Sequence, residues 1–334
     1  MRLLAISVLM FALTAEAVRA QSTAEGWFQK GNEDYAKGNY DRAVQDYSEV
    51  IRLNPGAAGA FLNRGSAYQA RGEFDRAIED FGRVIRLNPN YPLAYFNRGN
   101  AHQLKGEIDG AIEDFNEAIR LNPKYANAFI NRGNAYRSKG IYDRAIEDYS
   151  AAIRLDPQSA GAFRNRGAVY GLKGENERSI QDLSIAIHLN PADDEGFYNR
   201  AFTYAAMGDF DRAIQDYSEA IRLNARNSDA YSRRGRAYGA KGDYEHALSD
   251  LTEAIRLNPR DAWAYNDRGF VYYSKGDYER ASLDYDEAIR LDPHHVKAYY
   301  NRASIKLRNH DQAGAEADVA KAKELEAEAN KKRP

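Results

Sequence analysis

Apolar and polar residues follow one another with helical spacing along this chain, and the pattern returns every 34 residues. With Ala24 as position 1 of a 34-residue frame, new copies begin at residues 58, 92, 126, 160, 194, 228, 262 and 296 without insertion or deletion. In most copies apolar, aromatic or small residues occupy positions 4, 8 and 11, and then positions 20, 24, 27 and 28. Residues three or four apart share one face of a helix, so the pattern predicts two amphipathic helices in each copy.

Glycine and proline mark the ends of the predicted helices. Position 15 is glycine in eight copies, where a left-handed backbone would end the first helix. Position 32 is proline in seven copies, and the residue before a proline avoids the helical region. Small residues at positions 8 and 20 would let the two helices approach closely. One helix pair cannot bury this much apolar surface, whereas stacked pairs can, so we expect a repeat array.

The repeat resembles the tetratricopeptide repeat family, whose template has this period. Copy four shows the correspondence with Phe129, Gly133 and Tyr136 in its first helix, then Ala145 and Tyr149 in its second. The resemblance implies an all-α fold, a right-handed α-solenoid or superhelix of helix-turn-helix repeats. It covers a predicted domain of residues 21–325, followed by a charged tail at 326–334. The repeats are predicted at residues 24–57, 58–91, 92–125, 126–159, 160–193, 194–227, 228–261, 262–295 and 296–325.

The N-terminus has the three regions of a secretory signal peptide. Arg2 gives a positive start, residues 3–13 form an apolar stretch too short to span a membrane, and residues 18–20 (VRA) offer small residues for cleavage before Gln21. We therefore expect residues 1–20 to be removed and the protein to be periplasmic or secreted. No later segment is apolar enough to suggest a membrane span.

Composition argues against several classes of function. The 47 basic and 49 acidic residues give a net charge of −2, whereas nucleic-acid binding requires a clustered basic surface. Cysteine is absent, which excludes disulfides, thiolate metal sites and cysteine nucleophiles. The six histidines fall at unrelated frame positions, and no phosphate-binding glycine loop is present. The sequence predicts no catalytic residues, no metal and no cofactor, and hence a protein that is not an enzyme.

Position 7 is basic and position 23 is aspartate in all nine copies. A basic track for an anionic ligand would not require a matching aspartate each time. We therefore interpret the two positions as an ion pair between packed helices, in which the planar arginine suits a carboxylate. The sequence leaves open whether the partners belong to one copy or to adjacent copies.

Position 6 carries a series of asparagines on the side of the first helix opposite the packed face. Asparagine is a mediocre helix former, but its carboxamide can both donate to and accept from a peptide bond. The series looks like the asparagine ladder in the tetratricopeptide region of the O-linked N-acetylglucosamine transferases, which holds an extended polypeptide by its backbone. That resemblance implies peptide binding by Asn63, Asn97, Asn131, Asn165, Asn199 and Asn301. Alternatively, these amides bond a neighbouring part of the chain or are solvated.

The flanking positions 5 and 9 fit a peptide better than a charged ligand, because they are mainly apolar or amide-bearing in the first half of the chain. Rows of exposed apolar residues in a groove often mark binding sites. We add to the predicted peptide-binding set Phe28, Leu62, Phe96, Ile130, Asn100, Asn134, Arg164 and Tyr198. The rival interpretation is that the apolar members pack against neighbouring first helices.

The predicted function is a non-enzymatic interaction scaffold whose concave groove binds an extended peptide segment of another protein. Two alternatives remain: a structural scaffold that assembles an envelope complex through its outer or terminal faces, and an accessory subunit that recognises glycan. The expected partners are proteins or peptides, with a homo-oligomer left open. Nucleic acid is not expected as a partner, nor is a membrane span after signal cleavage.

Overall fold

The computed structural model of the chain describes residues 23–331, and this part of the chain forms eighteen α-helices without a strand. Contacts divide the chain into unit one, Met1–Ala162, and unit two, Phe163–Pro334. The helices of unit one are α1 Ala24–Ala36, α2 Tyr40–Leu53, α3 Ala58–Ala70, α4 Phe74–Leu87, α5 Pro92–Lys105, α6 Ile108–Leu121, α7 Ala126–Ser138 and α8 Tyr142–Leu155.

The division between the units falls in α9, Ala160–Leu172. The remaining helices, all in unit two, are α10 Asn176–Leu189, α11 Asp194–Ala206, α12 Phe210–Leu223, α13 Ser228–Ala240, α14 Tyr244–Leu257, α15 Ala262–Ser274, α16 Tyr278–Leu291, α17 Val296–Arg308 and α18 Gln312–Lys331. Helix α18 includes residues 326–331 of the predicted tail, whereas the predicted signal peptide, residues 1–20, lies outside the described residues.

Within each unit the helices pack as tandem hairpins. In unit one, α1 packs on α2, α3 on α4, α5 on α6 and α7 on α8. Helices α2, α4 and α6 also pack on the first helix of the next copy. Unit two repeats this arrangement from α11 to α18. First helices of successive copies also touch, as α3 and α5 do. The predicted all-α class with two helices per copy is confirmed. Of the helices described, none is long and apolar enough to cross a membrane.

Left-handed residues separate the two helices of each copy, as the glycines at position 15 predict. All eight glycines have φ between 72° and 90°, and in copy nine His310 takes the same conformation with φ 61°. Residues with a Cβ rarely adopt this backbone conformation, so glycine favours the turn.

The small residue at position 8 makes room for a large side chain of the second helix. At Gly133 an added Cβ would lie 2.8 Å from Cε1 of the Tyr149 ring. Tyr149 is fully buried between the two helices. Close approach of the helices therefore depends on the missing side chain.

The predicted ion pairs lie within single copies. Each pair joins position 7 of the first helix to position 23 of the second, from Lys30–Asp46 at 2.8 Å to Arg302–Asp318 at 2.6 Å. The pairs between them are Arg64–Asp80, Arg98–Asp114, Arg132–Asp148, Arg166–Asp182, Arg200–Asp216, Arg234–Asp250 and Arg268–Asp284.

The remaining guanidinium nitrogen often connects the pair to the preceding copy. Arg234 donates two hydrogen bonds to Asp250, and its Nη1 donates a third to Oγ of Ser218 at 2.9 Å. Arg132 likewise donates through Nη1 to Oδ1 of Asn116 at 2.7 Å. One arginine thus joins the two helices of its own copy and the second helix of the copy before it.

Candidate functional site

The predicted peptide-binding residues lie on the first helices, where positions 5, 6 and 9 of successive copies face the same way. We call this surface the first-helix face of each unit. Its predicted members in unit one are Phe28, Leu62, Asn63, Phe96, Asn97, Asn100, Ile130, Asn131 and Asn134, and in unit two they are Arg164, Asn165, Tyr198, Asn199 and Asn301. All fourteen are partly exposed.

Carboxamides of adjacent copies bond to one another on the face of unit one. Nδ2 of Asn63 donates to Oδ1 of Asn32 at 2.9 Å, and Nδ2 of Asn131 donates to Oδ1 of Asn100 at 2.7 Å. Both bonds run from position 6 of one copy to position 9 of the copy before. One of the two N–H donors of each of these ladder amides is therefore already engaged within the protein.

The amides at position 9 also accept hydrogen bonds from buried tyrosines. The hydroxyl of Tyr47 donates to Oδ1 of Asn32 at 2.7 Å, and the hydroxyl of Tyr149 donates to Oδ1 of Asn134 at 2.8 Å. Burial raises the pKa of both tyrosines to about 12, so both hydroxyls remain neutral donors. Asn134, a predicted peptide-binding residue, therefore has a structural role as well.

Asn97 differs from its neighbours in the series. The preceding copy offers Ser66 at position 9, and the Ser66 hydroxyl donates instead to the backbone oxygen of Leu62 at 3.1 Å. Within residues 23–331 no hydrogen bond engages the Asn97 side chain, and the same holds for Asn199 in unit two. Asn165 has an interaction partner. Of the six asparagines of the series, all within the described residues, Asn97 and Asn199 thus form no side-chain hydrogen bond and the others have partners.

The apolar residues at position 5 pack partly into the seams between helices. The Phe28 ring lies 5.8 Å from the Tyr47 ring, and the Phe96 ring lies 4.8 Å from the Tyr125 ring, centroid to centroid. Leu62 contacts the buried cluster around Phe61. These side chains remain partly exposed, so they combine packing with an accessible apolar surface.

Besides Asn165, three predicted residues of unit two have partners inside the protein. Nη1 of Arg164 lies 2.9 Å from Oδ1 of Asp193 and 3.0 Å from Glu195. The Tyr198 hydroxyl accepts from Nε of Arg233 at 2.6 Å. In the third case, Nδ2 of Asn301 donates to an amide oxygen at position 5 of the preceding copy, 2.9 Å away.

A cavity on the face of unit two contains residues that the sequence analysis did not select. It measures about 390 Å³ and lies between α11 and α13. Phe202, Phe210, Tyr217 and several alanines form its wall, and Arg233 and Arg236 reach it from the next copy. The available sequence signal was the replacement of the position 9 amide by Phe202, together with arginine at positions 6 and 9 of the following copy.

Asp267 occupies position 6 where most copies have asparagine, and its carboxylate is poorly solvated. Its side chain is 16 % exposed, and Oδ2 is buried without a hydrogen bond, although Nε of Arg236 lies 3.3 Å away. Asn266 donates to its other oxygen at 3.3 Å. Burial raises the pKa of Asp267 to about 6, and the charge of Arg236 opposes this shift.

Histidine, aspartate and glutamate do not gather into a metal-binding group anywhere in the described part of the chain. The polar groups of the first-helix face are amides, hydroxyls and paired charges. Such groups can bind a ligand, and they do not form a nucleophile with an adjacent base.

Sequence models of one repeat family match most of the chain. Models described as tetratricopeptide repeat match residues 28–92, 62–126, 115–147 and 262–295, and a model described as TPR repeat matches residues 133–174, 203–242 and 235–276. A comparison with curated proteins returned no match.

Solved structures with the same fold include a tetratricopeptide repeat protein from Parabacteroides merdae ATCC 43184, with 20% identity, a TM-score of 0.58 and coverage of 79% of this chain and 98% of that chain. The APC/C hetero-tetramer Cut9-Hcn1 matches with 16% identity and a TM-score of 0.63 over 86% of this chain. The match spans 56% of the Cut9-Hcn1 chain. At these identities the similarity shows the fold alone. YrrB, described as a TPR protein with an unusual peptide-binding site, has 26% identity, a TM-score of 0.47 and coverage of 56% of this chain and 96% of that chain.

Proposed function

This chain belongs to the tetratricopeptide repeat family, and we propose that the first-helix face of unit one binds an extended segment of another protein. The observation that carries the proposal is the row of partly exposed carboxamides at one position of successive copies, Asn63, Asn97 and Asn131, with partly exposed apolar side chains beside them. Proteins and peptides are the partners that this family implies.

The hydrogen-bonding state of the amides suits the main chain of a peptide. One N–H of Nδ2 in Asn63 and in Asn131 is engaged in an internal bond, while no hydrogen bond within residues 23–331 engages their Oδ1 atoms. Those oxygens can accept from backbone N–H groups, and Asn97 can both accept and donate. Internal bonding also fixes the direction of the outer two amides, which lowers the ordering cost of binding.

The polar chemistry of this face favours recognition of backbone over recognition of charge. Positions 6 and 9 of its copies carry amides and one serine, Gln29, Asn32, Asn63, Ser66, Asn97, Asn100, Asn131 and Asn134. Neutral amides can bond a peptide group regardless of which residue carries it. We propose a non-enzymatic scaffold that captures extended segments of varied sequence, working in the periplasm or outside the cell after loss of residues 1–20.

The proposal is tested with the triple variant Asn63→Ala, Asn97→Ala, Asn131→Ala in the full-length protein. The probe is a random library of twelve-residue peptides, acetylated and amidated at their ends, captured on immobilised protein. We expect at least a tenfold loss of capture, since each hydrogen bond contributes about 1 kcal/mol. Asn90→Ala, at an exposed turn residue, is the matched control and should capture normally.

Circular dichroism and thermal unfolding should show that the triple variant keeps its fold. Unchanged capture by a folded triple variant would refute the ladder and favour a scaffold that works through its outer or terminal faces. Capture of free glycans in place of peptides, lost in the same variant, would instead favour glycan recognition.

A further inference from the structure

We propose that the cavity between α11 and α13 of unit two binds a glutamate side chain of a peptide lying along the first-helix face of that unit. The inference rests on the proposed function in that the ligand is a peptide lying along a first-helix face. It adds a chemical preference at one place, since three hydrogen-bond donors converge on this cavity. None of these three donors belongs to the predicted peptide-binding set.

Arg233 is a positioned cation that lacks an anionic partner. Its Nε donates to the Tyr198 hydroxyl at 2.6 Å, and its guanidinium lies 4.7 Å from the centroid of the Phe202 ring. Among residues 23–331, every other half-buried arginine has an aspartate partner, whereas Arg233 has no ion pair. Asp229 and Asp267 line the neighbouring cavity together with Arg233 but form no ion pair with it, so its guanidinium retains donors for a ligand carboxylate.

Tyr217 supplies the second donor. Its residue surface is 1% exposed, it lines the cavity, and its hydroxyl has no hydrogen-bond partner within the described chain. The equivalent tyrosines of copies one and four donate to an asparagine at position 9 of their own copy, and Phe202 at position 9 removes that acceptor here. Burial raises the pKa of Tyr217, so its hydroxyl remains protonated and can donate.

Arg236 supplies the third donor from the rim. It is exposed, with 52 % of its side chain accessible, and its Nε lies 3.3 Å from Asp267 without a hydrogen bond. Its charge, together with that of Arg233, acts on Tyr217 and opposes the rise in the pKa of that hydroxyl. The two arginines and the tyrosine therefore line the same cavity.

The rest of the cavity is apolar, which selects a carboxylate on an aliphatic stem. Phe202, Phe210 and alanines such as Ala205 and Ala240 form its walls, and its volume of about 390 Å³ accommodates a long side chain. Two methylene groups can lie against these walls while the carboxylate reaches the donors. Glutamate has this shape and charge, whereas glutamine leaves Arg233 without an anion.

The test uses full-length protein and peptide libraries blocked at both ends, in which the central residue is fixed as Glu, Gln, phosphoserine or Lys and the others are random. A fifth library has central Gln and a free C-terminal carboxylate. We expect the Glu library to be retained about tenfold more than the Gln library, the effect of one charge-assisted hydrogen bond. Arg233→Gln should abolish this preference, and Tyr217→Phe should reduce it severalfold.

Two matched controls separate the cavity from general effects. Tyr285→Phe changes the equivalent tyrosine two copies later, which also faces a phenylalanine at position 9 but has Asp267 nearby, and it should leave the Glu preference unchanged. Arg226→Gln removes a positive charge at an exposed turn and should also leave it unchanged. Thermal unfolding of each variant shows whether the fold is retained.

Each remaining outcome decides against the inference. Equal retention of the Glu and Gln libraries, both above background, overturns the proposed glutamate site and leaves the proposed function intact. Stronger retention of the phosphoserine, Lys or free-carboxylate library overturns it in favour of that chemistry. Retention of no library by the folded protein overturns the proposed function and this inference together.

Discussion

Nε and Nη2 of Arg132 donate two parallel hydrogen bonds to the carboxylate of Asp148, at 2.9 and 2.6 Å, across the two helices of one copy. The Arg132 side chain is 19 % exposed and that of Asp148 6 %. Burial raises the pKa of Asp148, and the hydrogen bonds from Arg132 only partly oppose this shift. The cost of desolvation therefore offsets much of the attraction, and the pair serves to fix which helices meet.

The first prediction is that breaking this pair from one side costs more than removing it. Asp148→Leu leaves Arg132 unpaired and should lower the free energy of unfolding by about 3–5 kcal/mol. The double variant Arg132→Met, Asp148→Leu should cost clearly less. Chemical denaturation of both and of Arg132→Met completes the cycle, with the exposed Arg144→Met as control. A double variant that costs the sum of the single changes would contradict the pairing argument.

The second prediction concerns space at position 8. Gly133→Ala places a Cβ 2.8 Å from the Tyr149 ring and should destabilise the protein by about 1–3 kcal/mol, despite the better helix propensity of alanine. Gly161→Ala is the matched control, because its added Cβ meets nothing within 4 Å and its residue is helical. It should be neutral or stabilise by up to about 1 kcal/mol. Thermal unfolding measures both, and equal effects would contradict the steric argument.

The third prediction is a carboxyl titration near neutrality in unit two. Because burial raises the pKa of Asp267 from 3.8 to about 6, its proton should be lost in a range where exposed carboxylates are already charged. A raised folded-state pKa gives stability that is complete below pH 3.8 and lost as pH rises through about 6. Relative to Asp267→Asn, the wild type should therefore lose about 3 kcal/mol between pH 4 and 7.

Carboxyl NMR of the folded protein measures this titration directly, and Asp261→Asn tests the nearby charge that raises it slightly. A midpoint near 4 for Asp267 would contradict the effect of burial.

The fourth prediction concerns the N-terminus of α17. Nδ1 of His295 accepts from the backbone N–H of Ala298 at 3.3 Å, which requires the neutral ring. Burial lowers the pKa of His295 below 6.5. The cap is therefore complete above pH 6.5 and is lost as pH falls through the folded-state pKa. Amide exchange at Ala298 should speed up on acidification, whereas His295→Asn keeps an acceptor and should remove this pH dependence.

Fluorescence gives a second measure of the same event, because the Trp263 ring lies 4.2 Å from the His295 ring. In a Trp27→Phe background Trp263 is the remaining tryptophan of the chain, and its emission should follow the histidine titration. Emission that stays constant as pH falls from 7 to the onset of acid unfolding would contradict the prediction.

The sequence predicts the helices and turns well, because each depends on residues close together along the chain. The glycine turn before α8 and the close approach at Gly133 both follow from the 34-residue frame. The ion pairs could be predicted as pairs, but not assigned to one copy, since that requires the direction of both side chains.

The 34-residue frame could not predict which asparagine side chains form hydrogen bonds within the protein. The bond between Asn131 and Asn100 joins residues 31 apart, and it depends on how far one copy is rotated against the next. The cavity near Arg233 was missed for a related reason, because three changes in two copies create it together. A substitution at a single position of the frame does not predict a cavity that residues of two copies form together.

The hydrogen bond from Arg234 to Ser218 has its charged donor in the later copy and its neutral acceptor in the copy before it. Removing the copies that precede an arginine of this kind leaves one guanidinium N–H without its acceptor. Removing instead the copy that carries the arginine, and those after it, leaves only a neutral hydroxyl without its donor. Shortening such an array from its front should therefore do more harm than shortening it from its rear by the same number of repeats.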